Sequence, residues 1–163
     1  MISQKVSGGH GEVYLLLHNI RSTHNVGSIF RTADATGVKK IYLSGYTPAP
    51  IDRFGRERSD ISKASLGAEK FVNWESVGDP LILIKTLKEE GVHIFGLEQD
   101  ENSVDYRKMK KGERNLIILG EEVNGIETDL LELCDEIVEI PMLGKKESLN
   151  VSVATGVLLY SLI

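Results

Sequence analysis

The sequence predicts an α/β domain with a largely parallel β-sheet and helices on both faces. Two observations carry that expectation. Short apolar runs of strand length alternate along the chain with longer segments whose apolar residues recur at helical spacing. Two short apolar runs of the C-terminal stretch, Leu116–Leu119 and Ile137–Ile140, are each followed by a glycine- or proline-bearing turn, as buried strands in such a domain are.

Taken in order, 12–18 is an apolar run that reads as the first strand, followed by the polar loop 19–24. Asn25 has the side chain to cap the next helix by accepting from a free first-turn amide. In that helix Val26, Ile29, Phe30 and Ala33 fall at i, i+3, i+4 and i+7 and define its core face, with Arg31 off it. Gly37 ends the helix, and 40–44 is the second strand. It leads into the long segment 45–59, which carries Pro48, Pro50 and Gly55, and connections of that length are usually functional or mobile. A short helix is expected over 62–69 and a short strand over 71–73. Asp79–Pro80 then supplies an N-cap with proline at the first helical position, for a helix over 81–90 that stops at Gly91. The strand 92–97 follows, then a weakly structured, charged stretch over 99–114 before the run at 116–119. Thr128 is expected to cap the helix holding Leu130, Leu131 and Leu133. After 137–140 comes a polar loop, 141–147, and Ser148-Leu149-Asn150 opens a last helix. Val151, Ala154, Leu158 and Leu162 lie on one of its faces, with Val153, Val157 and Tyr160 beside them, so it reads as buried around much of its circumference.

With 163 residues the chain has the size of one domain with a sizeable core. No apolar run approaches the roughly 20 residues that span a bilayer, and residues 1–12 lack the apolar centre of a signal peptide. A cytoplasmic location is therefore expected. Cys134 is the single cysteine, which excludes an internal disulfide and a cysteine-based zinc site. Among its leucine neighbours it reads as a small buried apolar residue. The four histidines show no ligand spacing, so no metal is expected. A net charge of −5 argues against indiscriminate nucleic-acid binding, which rests on neutralising phosphates. It leaves room for a local basic surface, and Arg53, Arg56 and Arg58 cluster around Phe54 in the long connection.

Three stretches carry a resemblance. LGEEVNG, beginning at Leu119, and IPMLGKKESLNVSVATGVLLYSL, beginning at Ile140, are similar to the two C-terminal motifs of the SpoU/TrmH branch of SPOUT methyltransferases. NIRSTHNVGSIFRTADATGV, beginning at Asn19, resembles the first motif of that family. The three occur in the family's order and span nearly the whole chain.

The resemblance implies a single SPOUT domain over 1–163 without a separate RNA-binding extension, its last segment threaded into a deep trefoil knot. It implies S-adenosylmethionine bound in the knot by the backbone around Leu97, Gly120, Ile140 and Leu149. It further implies methyl transfer to a ribose 2′-hydroxyl of RNA, with Asn25, Arg31, Glu122, Ser148 and Asn150 as the polar residues of the site. Arg53, Arg56 and Arg58 would contact the RNA, with tRNA ahead of rRNA as acceptor. A homodimer with sites shared between chains is expected on the same ground. The competing reading is an RNA-binding or regulatory protein of the same fold without methyl transfer. A Rossmann oxidoreductase would need G-x-G-x-x-G after the first strand, and the sequence lacks it there.

Overall fold

A computed structural model describes residues 10–163. The reading of residues 1–12 as free of a signal peptide falls on residues 1–9 for the most part, and so lies outside the described residues. Strands β1 (Glu12–His18), β2 (Lys40–Ser44), β3 (Trp74–Ser76), β4 (His93–Leu97), β5 (Val104–Asp105), β6 (Arg114–Leu119) and β7 (Glu136–Glu139) form one seven-stranded sheet in the order β3-β2-β1-β6-β4-β7-β5. Every pairing in it is parallel. The helices are α1 (Thr23–Thr36), α2 (Ser59–Ser65), α3 (Pro80–Glu89), α4 (Thr128–Glu132) and α5 (Val151–Leu162), with 3-10 turns at Ala68–Lys70 and Tyr106–Lys108.

The middles of the central strands, Leu15–Leu17 in β1 and Leu116–Leu119 in β6, are continuously apolar because both faces of the sheet are covered there. Leu15 and Leu17 of β1, with Ile117 and Leu119 of β6, point to the side covered by Val26, Ile29, Phe30 and Ala33 of α1 and by Leu158, Leu159 and Leu162 of α5. Leu16, Leu116 and Ile118 point to the other side, against Ile84 and Leu87 of α3 and Leu130 of α4. Each such side chain, fully removed from water, contributes roughly 1.5–3 kcal/mol before its entropy cost.

The connections depart from the sequence-based expectation in four places. Ser22, rather than Asn25, caps α1: its hydroxyl accepts from Asn25 N at 3.1 Å. Asn25 sits one turn further in, and its side chain is left for other partners. The helix expected over 62–69 begins earlier, at Ser59, and gives way to the 3-10 turn, which pushes the following strand to Trp74–Ser76. Thr128 is the first residue of α4, with Glu127 at the cap position and no side-chain cap bond. The charged stretch before β6 contains an edge strand, β5, paired to β7. By contrast β1 and β2 have the expected bounds, and Asp79 caps α3 by accepting from Leu81 N at 2.9 Å, with Pro80 at its first position.

α5 is buried on one side only. Leu158, Leu159 and Leu162 are buried, while Val153 and Tyr160 are 52% and 58% exposed, so the helix is not enclosed within a single chain. It lies close on α1 at Gly156, where a Cβ would stand 3.7 Å from Thr32 Cγ2.

Candidate active site

Strands β1 to β3 wind towards one edge of the sheet, and the chain then crosses to β4, with β6 inserted between β1 and β4. Ligands of open α/β sheets bind beyond the carboxyl ends of strands at such a reversal. A cavity of about 510 Å³ lies there, against Leu97 at the end of β4, Leu119 and Gly120 at the end of β6, and Glu139 and Ile140 at the end of β7. The segment from Glu147 to Val151 closes its other wall. The structure thus brings Leu97, Gly120, Ile140 and Leu149 to one cavity, together with Glu122, Ser148 and Asn150.

Backbone geometry shapes this cavity. Glu121 and Gly125 exchange two main-chain hydrogen bonds, Glu121 N to Gly125 O at 3.1 Å and Gly125 N to Glu121 O at 2.9 Å, folding 120–125 into a tight hairpin. A Cβ on Gly120 would stand 2.5 Å from the Gly125 carbonyl, so no other residue fits there. Glu98, which the sequence reading did not assign to the site, pins the hairpin to β4. Its Oε2 accepts from Ile126 N and its Oε1 from Gln99 N, both at 2.9 Å. Gln99 Nε2 in turn donates to Glu147 O at 2.7 Å and ties the opposite wall. The available signal was an acid directly after an apolar strand, at the same edge as the Gly120 turn.

Glu122 joins the N-terminal motif to the C-terminal ones. Its Oε1 accepts from Asn25 Nδ2 at 3.1 Å and Ser22 N at 3.2 Å, and its Oε2 from Arg21 N at 3.1 Å. Asn25 Oδ1 accepts from Asn150 Nδ2 at 3.1 Å, and Asn150 Oδ1 accepts from Ser152 N at 2.9 Å, capping α5. Asn25 is buried at the centre of this chain of bonds. Asn150 therefore serves as helix cap and site residue at once. Ser148 lines the cavity.

Partial burial raises the Glu122 carboxyl, but the donors of Arg21, Glu122 itself, Ser22 and Asn25 outweigh it and hold the group below the ordinary glutamate value. A carboxylate with a lowered folded-state pKa adds stability above its unfolded pKa, and that stability is lost as pH falls through the folded one. The melting-temperature gap between wild type and Glu122→Gln is accordingly expected to be full at pH 7 and to shrink as pH drops below about 4.3, the unperturbed glutamate value. Thermal unfolding across that range checks it; a pH-independent gap would contradict it.

Arg31 is not in the cavity. It is exposed on α1 and lines a separate open hollow with Ser28, Thr32, Ala64 of α2 and Tyr160 of α5. Arg53 and Arg56 stand over the Phe54 ring at 4.8 and 5.0 Å. Arg58 does not join them: it is half-buried at the head of α2, its Nε without a hydrogen-bond partner. Cys134 is half-buried, and burial pushes its thiol up to about 12, which makes it a poor nucleophile. Among the described residues no group of three or more His, Cys, Asp or Glu is placed to hold a metal ion.

A parallel sheet with a backbone-shaped cavity at its topological reversal, clasped by the Glu122–Asn25–Asn150 chain of hydrogen bonds, defines a ligand-binding α/β domain. Residues 12–160 match the model of the SpoU rRNA Methylase family, and the chain belongs to that family of SpoU/TrmH-type RNA methyltransferases. It is 38% identical over 146 residues to a Staphylococcus saprophyticus protein whose name places it in the TrmH family of tRNA/rRNA methyltransferases, covering 90% of this chain and 56% of that one. It is 31% identical over 149 residues to the tRNA (guanosine(18)-2′-O)-methyltransferase of Aquifex aeolicus, covering 91% of this chain and 67% of that one. The crystal structure of an AdoMet-bound rRNA methyltransferase from Sinorhizobium meliloti superposes with a TM-score of 0.83 at 29% identity, covering 93% of this chain and 56% of that one. The chain thus spans little more than half the length of the first relative. Segments 120–125 and 147–151 line one cavity, an arrangement consistent with the knot of the SPOUT fold.

Proposed function

We propose that this protein transfers a methyl group from S-adenosylmethionine to a ribose 2′-hydroxyl of RNA, tRNA ahead of rRNA, as a single SPOUT domain acting in a cytoplasmic homodimer. The observation that carries the reading is the Glu122–Asn25–Asn150 chain of hydrogen bonds beside the strand-end cavity, which joins three motifs distant in sequence. The names of the Aquifex and Sinorhizobium proteins support the acceptor chemistry and the donor. No helix among the described residues is long and apolar enough to cross a membrane.

The residues present fit the donor. The cavity has the volume of a small-molecule site, and Leu97, Ile140 and Leu149 can offer an adenine only packing and main-chain groups, while Gly120 leaves its backbone open to close approach. The bound sulfonium would supply an activated methyl, so no metal is needed. The chain's task is to align the acceptor and help the hydroxyl lose its proton. Glu122 and Asn25 hold the loop 19–24 against the cavity. Arg31 is assigned to the acceptor. A guanidinium stays protonated in proteins and is a poor base, so its role is to grip the phosphate or the developing oxyanion with its fork of donors.

Arg31 lies outside its own chain's cavity, in a hollow with the exposed Tyr160 of α5, a helix on which Val153 is exposed as well. A two-fold pairing through α1 and α5 would cover those side chains and bring Arg31 of each chain towards the cavity of the other. Calorimetry with S-adenosylmethionine in the presence of a chelator is expected to give the same binding as without it. Loss of binding on chelation, or binding without methyl transfer to RNA from cells lacking the gene, would refute the corresponding half of the proposal.

A further inference from the structure

We infer that Phe54, with Arg53 and Arg56, is a stacking platform for one unpaired RNA base; the inference rests on the RNA-methyltransferase reading and deepens it. Phe54 is 67% exposed, an apolar ring held in water with guanidinium carbons 4.8 and 5.0 Å from its centroid. Aromatic rings and guanidinium planes are the two surfaces on which unstacked bases settle, and the positive charge attracts the flanking phosphates.

The ring is presented on a braced turn. Asp52 Oδ1 accepts from Phe54 N at 2.8 Å and Arg56 N at 3.0 Å, and its Oδ2 accepts from Arg56 Nε at 2.9 Å. Asp52 N donates to Arg56 O and Arg58 N to Pro50 O, each at 2.8 Å, and Gly55 takes the positive φ of 78° that closes the turn. The long connection is therefore a preorganised hairpin at its tip, which lowers the entropy cost of binding.

The two arginines are not equivalent. Arg56 is committed to Asp52, while Arg53 forms no ion pair with a carboxylate among the described residues, and Glu57, the other acid in the turn, pairs with Lys70 at 3.4 Å. Arg53 is free to exchange the ring for a phosphate when a base arrives. This charge favours RNA over an apolar protein partner for the exposed ring.

The root of the same connection is tied to the site. Thr47 Oγ1 accepts from Ile20 N at 3.1 Å and donates to Leu17 O at 2.9 Å, and Asn19 Oδ1 accepts from Tyr46 N at 3.1 Å. Ile20 is followed by the Arg21 and Ser22 amides that Glu122 holds. Stacking on Phe54 thus sets where one nucleotide lies relative to the cavity. A base inside a duplex has no free face to offer, so the platform selects a single-stranded or looped acceptor.

The test is fluorescence anisotropy without S-adenosylmethionine, using a labelled single-stranded RNA oligonucleotide and the same strand annealed to its complement. Phe54→Ala is expected to weaken single-strand binding about tenfold, to leave duplex binding unchanged, and to keep the salt dependence; Phe54→Tyr should restore affinity. Arg53→Ala is expected to lower the slope of log affinity against log salt by about 1. If Phe54→Ala binds the single strand as wild type does, or weakens both probes equally, the platform is refuted while methyl transfer by wild type leaves the enzyme reading standing. A change in sedimentation of Phe54→Ala with RNA affinity intact would assign the ring to a protein contact and overturn the inference. Wild type that binds neither probe and methylates no RNA overturns both.

Discussion

Arg31→Ala is expected to lower methyl transfer by about a hundredfold or more, in the range seen when one charge-stabilising donor is removed from a transition state, while leaving S-adenosylmethionine affinity within about twofold, as binding at a separate site should be. The separation follows from position: Arg31 lines a hollow on α1, and the cavity proposed for the donor is built from the ends of β4, β6 and β7 with residues 147–151. The side chain is exposed, so its truncation should not disturb folding. Arg31→Lys should recover little, because an ammonium cannot reproduce the planar fork of a guanidinium. Single-turnover rates paired with calorimetry check both halves. Near wild-type turnover would remove Arg31 from the reaction, and an equal loss of donor affinity would place it in the donor pocket instead.

The second large effect is a rescue. Arg31→Ala and Asn150→Ala homodimers are each expected to be nearly inactive. A mixed dimer of the two, purified through two affinity tags, is expected to recover roughly half of wild-type activity if each site takes Arg31 from one chain and Asn150 from the other, since two-fold symmetry leaves one of two sites intact. The expectation rests on Asn150 being bonded to Asn25 beside its own cavity while Arg31 of the same chain is elsewhere. If both residues served one chain's site, both sites of the mixed dimer would stay broken, and no recovery would refute sharing.

Much of the fold and part of the candidate site could be read from residue order. The bounds of β1 and β2, the Gly37 stop of α1, and the Asp79–Pro80 start of α3 all follow from local chemistry: apolar runs that need burial on two faces, a left-handed position that suits glycine, and an amide that needs a cap. Leu97, Gly120, Ile140 and Leu149 could be grouped through the motifs, and the fold places them at one cavity because parallel strands end on one side of the sheet. What lay outside local chemistry was decided by partners far along the chain. Asn25 was expected to cap its own helix. Ser22 takes that role, because the Asn25 side chain is drawn to Glu122 and Asn150, 97 and 125 residues away. The insertion of β6 between β1 and β4, the clasp of Glu98 on Ile126, and the position of Arg31 outside its own chain's cavity are likewise long-range outcomes. Periodicity records which face a residue turns inward; it does not record which strand or loop meets that face, and only the packed sheet settles that.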